Sequence, residues 1–195
     1  MAVSEVSICN RAIRRIGAEP ITSLAGTDHM SVLCNTLYEP ARDDLLYSHP
    51  WNFAIARDSL SADVATPDFE YTVQYSLPSD CLRVLRLNNT KDDYRIEGRK
   101  ILCDVTAPLK MIYIKKETDP TKFSSGFAEC LALKIAQDMG YALAANASMV
   151  RGLSEQLKVK LAQTKQYDAQ EGNPRQFEAD DWTDGLTGPS ATIIT

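Results

Sequence analysis

The amino-acid sequence predicts an α+β protein: a helical bundle formed by N-terminal and C-terminal helices, an inserted antiparallel β-sheet subdomain and an extended C-terminal tail. Apolar residues recur at helical spacing near both ends of the chain, and they alternate with polar residues in short stretches between, where turn-forming residues are frequent. The predicted parts are the N-terminal helices (1–48), the antiparallel β subdomain (49–117), a C-terminal helical hairpin that completes the bundle (118–172) and an extended arm (173–195).

The first part of the chain predicts two helices. Ser4 is a suitable N-cap for the first, and Gly17 stands where a left-handed C-terminal cap is expected. Asp28 can cap the second helix. Pro40 interrupts its pattern, and because proline removes a backbone donor and clashes with the preceding turn, we expect a kink or break near Glu39.

The middle of the chain predicts five or six short strands. Trp51, Phe53 and Ile55 alternate with smaller or polar residues, which indicates a half-buried strand, and a loop should follow over residues 57–68. Further strands are predicted within residues 71–75, 82–87 and 111–114, and a tight hairpin within 94–103.

Two amphipathic helices follow, the first capped by Ser124 or Ser125. Their apolar stripes either close the core of the chain's own domain or pack against a neighbouring subunit, and the stripes alone leave both readings open. We predict subunit packing through six of these residues, which are Phe127, Leu131, Ile135, Leu153, Leu157 and Leu161.

The overall composition is that of a globular protein, with 44% hydrophobic residues and a formal net charge of −5. A negative chain is poorly suited to bind nucleic acid through its phosphates, which disfavours a nucleic-acid-binding regulator. No signal peptide or membrane span is evident, so we expect synthesis in a cytoplasm. The five cysteines stand singly and are expected to be reduced: Cys9, Cys34, Cys81, Cys103 and Cys130.

No catalytic, cofactor-binding or metal-binding set is predicted. His29 and His49 lack the spacing of metal ligands, and no glycine-rich phosphate loop occurs. The one candidate for catalysis is a set of carboxylates that could support glycoside hydrolysis, Glu39, Asp43 and Asp44, although neighbours on one helix do not easily flank a sugar ring.

Three lysines, Lys110, Lys115 and Lys116, could form a basic edge for nucleic acid. Because acidic residues follow directly, we favour the alternative that these lysines protect an edge strand against aggregation.

The order of several segments resembles the tail tubular protein A family, the head-to-tail adaptors of T7-like short-tailed bacteriophages. The segments are IxNRAIRRIGAEPITSL (8–24), LLYSHPWNFAIAR (45–57), YSLPSDCLRVLRL (75–87), YRIEGRKILC (94–103) and a closing helix followed by a DxW sequence at Asp180 and Trp182. The resemblance covers residues 3–182 and rests on order and spacing.

The resemblance implies a structural virion protein rather than an enzyme. A dodecameric ring at the head-tail junction would dock under the portal protein and bind the tail nozzle protein, forming part of the DNA ejection channel without binding DNA specifically and without contacting a membrane. The protein would be made in the bacterial host cytoplasm and be monomeric when free. Because some such adaptors are linked to cell-envelope hydrolysis, a tail-associated glycan hydrolase is the alternative.

The C-terminal arm is predicted to contact the portal or a neighbouring subunit through Phe177 and Trp182. This prediction rests on the residues themselves, since large aromatic side chains in an extended acidic segment often bind another surface.

Overall fold

The computed structural model describes residues 3–87, 93–143 and 147–171. These residues contain helices α1 (Glu5–Arg15), α2 (His29–Ser48), α3 (Ser125–Ala142) and α4 (Ala147–Gln170), and strands β1 (Ile55–Leu60), β2 (Val73–Ser76), β3 (Cys81–Leu87), β4 (Tyr94–Glu97), β5 (Lys100–Cys103) and β6 (Leu109–Lys115). Short 3₁₀ turns span Asn52–Ala54 and Pro120–Lys122. The predicted combination of helices and antiparallel strands is confirmed.

The helix ends follow the local sequence. Ser4 and Ser7 form a reciprocal capping box on α1, and Asp28 accepts a hydrogen bond from the backbone N–H of Ser31 at the start of α2. Gly17 adopts a φ of +76° just after α1. A left-handed residue at this place ends a helix at little cost when it is glycine.

Helix α2 continues through Pro40 as one helix, so a break near Glu39 is excluded, and the kink stays a prediction. The missing proline donor costs stability, but Tyr38, two residues before Pro40, and Ala41, directly after it, remain buried. Tyr38 and Ala41 pack in the core on either side of Pro40, and Leu45 follows one turn later. Burial along this face offsets the local penalty.

The segment from Trp51 is a 3₁₀ turn, and the strand begins only at Ile55, contrary to the prediction. Trp51 is fully buried, and its indole Nε1 donates a hydrogen bond to the carbonyl of Leu45 over 2.8 Å. This bond turns the chain back toward α2. Strand β1 then runs through residues 55–60, part of which was predicted as loop.

Two three-stranded antiparallel sheets form the β part of the described chain. Sheet 1 has the order β1-β6-β3, and sheet 2 has the order β2-β5-β4. The hairpin between β4 and β5 turns at Gly98 and Arg99, which both have positive φ, as a type I′ turn requires. Strand β6 is central, so the prediction that its lysines lie on an edge strand is wrong.

The buried side chains form two clusters, one among the helices and one between the sheets. Helix α3 contacts α1, α2 and α4, and its residues dominate the helical cluster. Leu109, Met111 and Tyr113 of β6 pack in the sheet cluster with Tyr75 and Ile101 of sheet 2. All five cysteine side chains are buried in one cluster or the other.

Candidate functional site

Most of the residues predicted to pack against another subunit lie in the chain's own core. Phe127, Leu131 and Ile135 have no exposed surface, and Leu153 is 5% exposed. These four side chains therefore pack in the core of their own chain, because three helices of the same chain cover α3. The prediction that they contact a neighbouring subunit is wrong. Leu157 and Leu161, also predicted, are half-buried against the same cluster.

The exposed apolar residues of α4 flank its contacts with α1 and α3. Val159 is 58% exposed and Tyr167 is 65% exposed, with Met149 at 39%. Gln156, which accepts a hydrogen bond from Arg15 of α1, and Gln163 complete the row at helical spacing, and the charged Lys160 lies beside it. We name the five residues of this row the α4 stripe. The sequence pattern did not reveal it, because the glutamines interrupt the apolar periodicity.

A second group of exposed apolar residues lies in the β part of the chain. Phe69 is 75% exposed in the loop before β2, and Glu70 of that loop forms an ion pair with Arg95 of β4 at 3.9 Å. The loop and the hairpin enclose a cavity of about 500 Å³. Val64 and Ile96 are exposed in the same β part of the chain. This region is separate from the α4 stripe.

Asp168 holds the last turn of α4 against the segment that precedes β1. Its carboxylate accepts a hydrogen bond from the backbone N–H of Asn52 at 3.1 Å and lies 3.2 Å from Nε2 of His49. The side-chain amide of Asn52 donates in turn to the backbone carbonyl of Asp168. Asp168 is 6% exposed, and these partners satisfy the buried carboxylate.

The pKa of His49 lies below its ordinary value of 6.5. Burial is the main cause, and the cations Lys165 and Arg83 act in the same direction. The hydrogen bond with Asp168 and its negative charge oppose this shift without cancelling it. The neutral imidazole is therefore the form that the fold favours.

A close approach between α3 and α4 fixes their relative position. A Cβ atom on Gly126 would lie 2.5 Å from Cγ2 and 2.8 Å from Oγ1 of Thr164. Thr164 is itself constrained, because its hydroxyl donates to the carbonyl of Lys160 and lies 3.6 Å from the sulfur of Cys130. Only glycine fits at position 126 without movement of α4.

The carboxylates considered for glycoside hydrolysis lie on α2, each beside a cation. Asp43 accepts a hydrogen bond from Nε of Arg42 at 2.8 Å and forms ion pairs with Arg42 at 2.8 Å and with Lys116 at 2.9 Å. Glu39 and Asp44 are largely exposed, and Asp44 lies 3.6 Å from Lys134. Of the three lysines predicted at a basic edge, Lys116 is thus engaged with Asp43, whereas Lys110 is exposed.

The described residues offer neither a metal site nor a membrane-spanning helix. Within the described residues, no group of three or more His, Cys, Asp or Glu side chains could hold a metal ion, and no helix is both long and apolar enough to cross a bilayer. Phe177 and Trp182, predicted to contact the portal or a neighbour, lie outside the described residues. The chain matches no known family model and no curated protein.

Proposed function

We propose that this protein is a head-to-tail adaptor of a short-tailed bacteriophage, which forms a ring under the portal and joins it to the tail nozzle. The observation that carries the proposal is the α4 stripe, because its exposed Val159 and Tyr167 lie on a helix that also packs in the core. Exposed apolar residues arranged along one helix face are typical of a surface that another protein covers.

A closed ring needs two different complementary surfaces on each subunit. The α4 stripe supplies one, and the region around Phe69 beside sheet 2 supplies a second that does not overlap it. The resemblance in segment order supports the choice of a phage adaptor over other ring-forming proteins. In this proposal the helices form one bundle with the β part as a separate subdomain, and the ring is a dodecamer.

The arm beyond α4 completes the proposed assembly. Phe177 and Trp182 would bind the portal or a neighbouring subunit, with the acidic side chains between them excluded from the apolar contact. The negative net charge would keep free subunits apart and leave DNA in the channel unbound. The proposed protein acts as a structural component of the virion tail and not as an enzyme.

Mixing the full chain with the portal protein of the same virus tests the proposal. Mass photometry should show the free chain as a monomer and the mixture as a portal complex carrying a ring of subunits. Val159→Asp should prevent ring formation, because an unpaired charge would enter the apolar contact. Lys158→Gln is the matched control, since it changes net charge by the same amount on an adjacent side of α4. Absence of any complex with the unmodified chain would refute the proposal.

The glycan-hydrolase alternative is tested separately at the α2 carboxylates. Turnover of peptidoglycan by the purified chain that is lost in Glu39→Gln would favour the alternative. Persistence of the turnover in Glu39→Gln would instead indicate a contaminating enzyme. The contacts of Asp43 with Arg42 and Lys116 do not favour the alternative, because they already hold its carboxylate between two side chains of the same chain.

A further inference from the structure

One face of sheet 1, which packs on the helical cluster at Ile114, carries a row of cations beyond that contact. The strand register places Arg57 of β1 and Arg86 of β3 on either side of Ile112 in the central strand. Lys110 lies two residues along β6 from Ile112, and Arg83 lies in the neighbouring row, beside Ile114. Lys110, Ile112 and Ile114 share one face of β6 because side chains alternate along a strand. A register shift between Val84 and Arg86 pairs both Arg83 and Arg86 with residues of that face, so the four cations lie on it together. We name Arg57, Arg83, Arg86 and Lys110 the cationic face.

The cationic face lies on the other side of sheet 1 from the sheet cluster. Met111 and Tyr113 point into that cluster from the other side of β6. A cavity of about 490 Å³ is lined by cations of this face and by their strand neighbours, which together are Arg57, Asp58, Ser59, Arg86, Lys110, Met111 and Ile112. Asp58 is the one acidic residue among these lining residues, so positive charge predominates.

The cations of this face have few partners inside the chain. Within the part of the chain that the structure describes, no ion pair involves Arg57, Arg86 or Lys110. No carboxylate oxygen of the described residues lies within 4.0 Å of their charged nitrogen atoms. Arg83 lies over the ring of Tyr47, with 5.3 Å between the guanidinium carbon and the ring centroid. Unpaired cations on a chain of net charge −5 indicate a site for a negatively charged ligand.

The chain leaves the described structure next to this face. The last turn of α4 is held at Asn52 by Asp168, and Asn52 lies three residues before Ile55, the first residue of β1. Ile55 and Arg83 flank Ile114 in one row of sheet 1, and Arg57 is two residues further along β1. Two strand residues span about 7 Å.

The sequence that follows α4 has the complementary charge. Residues 177–184 contain four carboxylates and no cation: Glu178, Asp180, Asp181 and Asp184. They also contain Trp182, whose ring can stack on a guanidinium group. Trp182 lies eleven positions after Glu171, and eleven extended residues span up to about 36 Å.

We propose that residues 177–184 bind to the cationic face of the same chain, with their carboxylates against Arg57, Arg86 and Lys110 and Trp182 against an arginine. A tether this short gives an effective concentration of about a millimolar, which favours the chain's own segment over a separate anion. The inference goes beyond the proposed ring, because it concerns the free subunit. The arm would leave this face when a partner binds it.

Fluorine NMR of the full chain labelled with 5-fluorotryptophan tests the inference. The chain has two tryptophans, and Trp182→Phe identifies the resonance of Trp182. We expect that resonance to differ from that of an unstructured peptide and to move toward the peptide value in Arg86→Glu. Raising the ionic strength from about 0.05 M to about 0.5 M should produce the same movement, since screening weakens exposed charge pairs.

Two controls give the experiment its specificity. Lys158→Glu makes the same change of charge on α4 and should leave the Trp182 resonance unchanged. Combining Arg86→Glu with Asp181→Lys should restore part of the shift, because the charges are exchanged rather than removed. A peptide-like Trp182 resonance in the unmodified chain at low salt would refute the inference.

Two further measurements test whether a second copy of the chain or duplex DNA occupies the cationic face instead. They vary the protein concentration and add duplex DNA. A Trp182 shift that does not depend on protein concentration supports binding within one chain, and a shift that grows with concentration would assign the segment to a second copy and refute the inference. Duplex DNA that binds through Arg57 and Arg86 while Trp182 stays peptide-like would also refute it. Failure of this inference leaves ring formation with the portal unaffected, so the two proposals fail separately.

Discussion

The carboxylate of Asp168 accepts a hydrogen bond from the backbone N–H of Asn52, a residue 116 positions earlier in the chain. This bond joins the end of α4 to the turn that leads into sheet 1, so one side chain connects the last helix with the β part. It also sets the place from which the arm leaves the described structure.

Asp168→Ala should lower the free energy of unfolding by about 1–3 kcal/mol, because it removes the charged, buried acceptor of the Asn52 N–H. Chemical denaturation followed by circular dichroism measures the change. Asp168→Asn retains an acceptor oxygen and should cost less than the alanine variant. Equal losses in the two variants would show that the negative charge, and not the hydrogen bond, is what stabilises this turn.

Gly126→Ala should destabilise the protein by about 1–3 kcal/mol, because the added Cβ overlaps the side chain of Thr164. Thr164→Ala in the same chain should recover part of the loss. The informative quantity is the coupling energy of the double-mutant cycle from thermal or chemical unfolding. Additive effects of the two substitutions would mean that the helices separate easily at this contact.

Stability should fall as the pH is lowered through about 6.5. The pKa of His49 is below its ordinary value of 6.5 in the folded chain, so the unfolded chain binds more protons between the folded and unfolded pKa values. Unfolding is therefore favoured as the pH falls through that window. Denaturation midpoints at about pH 7.5 and about pH 5.5 measure the effect.

His49→Gln provides the control, because glutamine does not titrate and can still donate to Asp168. Its denaturation midpoint should change less with pH than that of the unmodified chain. The same pH dependence in both proteins would assign the effect to other groups.

Trp182→Ala should weaken binding to the portal while leaving the melting temperature of the free protein nearly unchanged. The physical reason is that a large aromatic side chain contributes most where a partner buries it. Mass photometry of the portal mixture and thermal unfolding of the free chain provide the two readings. A large decrease of the melting temperature would place Trp182 in the core.

Features fixed by neighbouring residues could be predicted from the sequence. The capping residues Ser4 and Asp28 and the hairpin at Gly98 depend on local backbone chemistry, and each was found where its residue type indicated. The helical spacing of Leu131 correctly predicted an apolar helix face, but spacing alone does not indicate what packs against that face.

Features that depend on distant contacts could not be predicted. Burial on both sides of Pro40 keeps α2 continuous, and the hydrogen bond of Trp51 to Leu45 replaces a strand by a turn. In the sequence, Asp168 resembles any solvated acid of a polar helix. The cationic face arises from strand register, which brings Arg57 and Arg86 together from segments far apart in the chain.

The central position of α3 has a consequence for hydrogen exchange. Because α3 contacts α1, α2 and α4 at once, its amide protons can reach solvent only when the whole helical part opens. The backbone amides of residues 131–136 should therefore be the last to exchange with deuterium. Those of β4, a short strand with largely exposed side chains at the edge of sheet 2, should exchange much earlier through local opening.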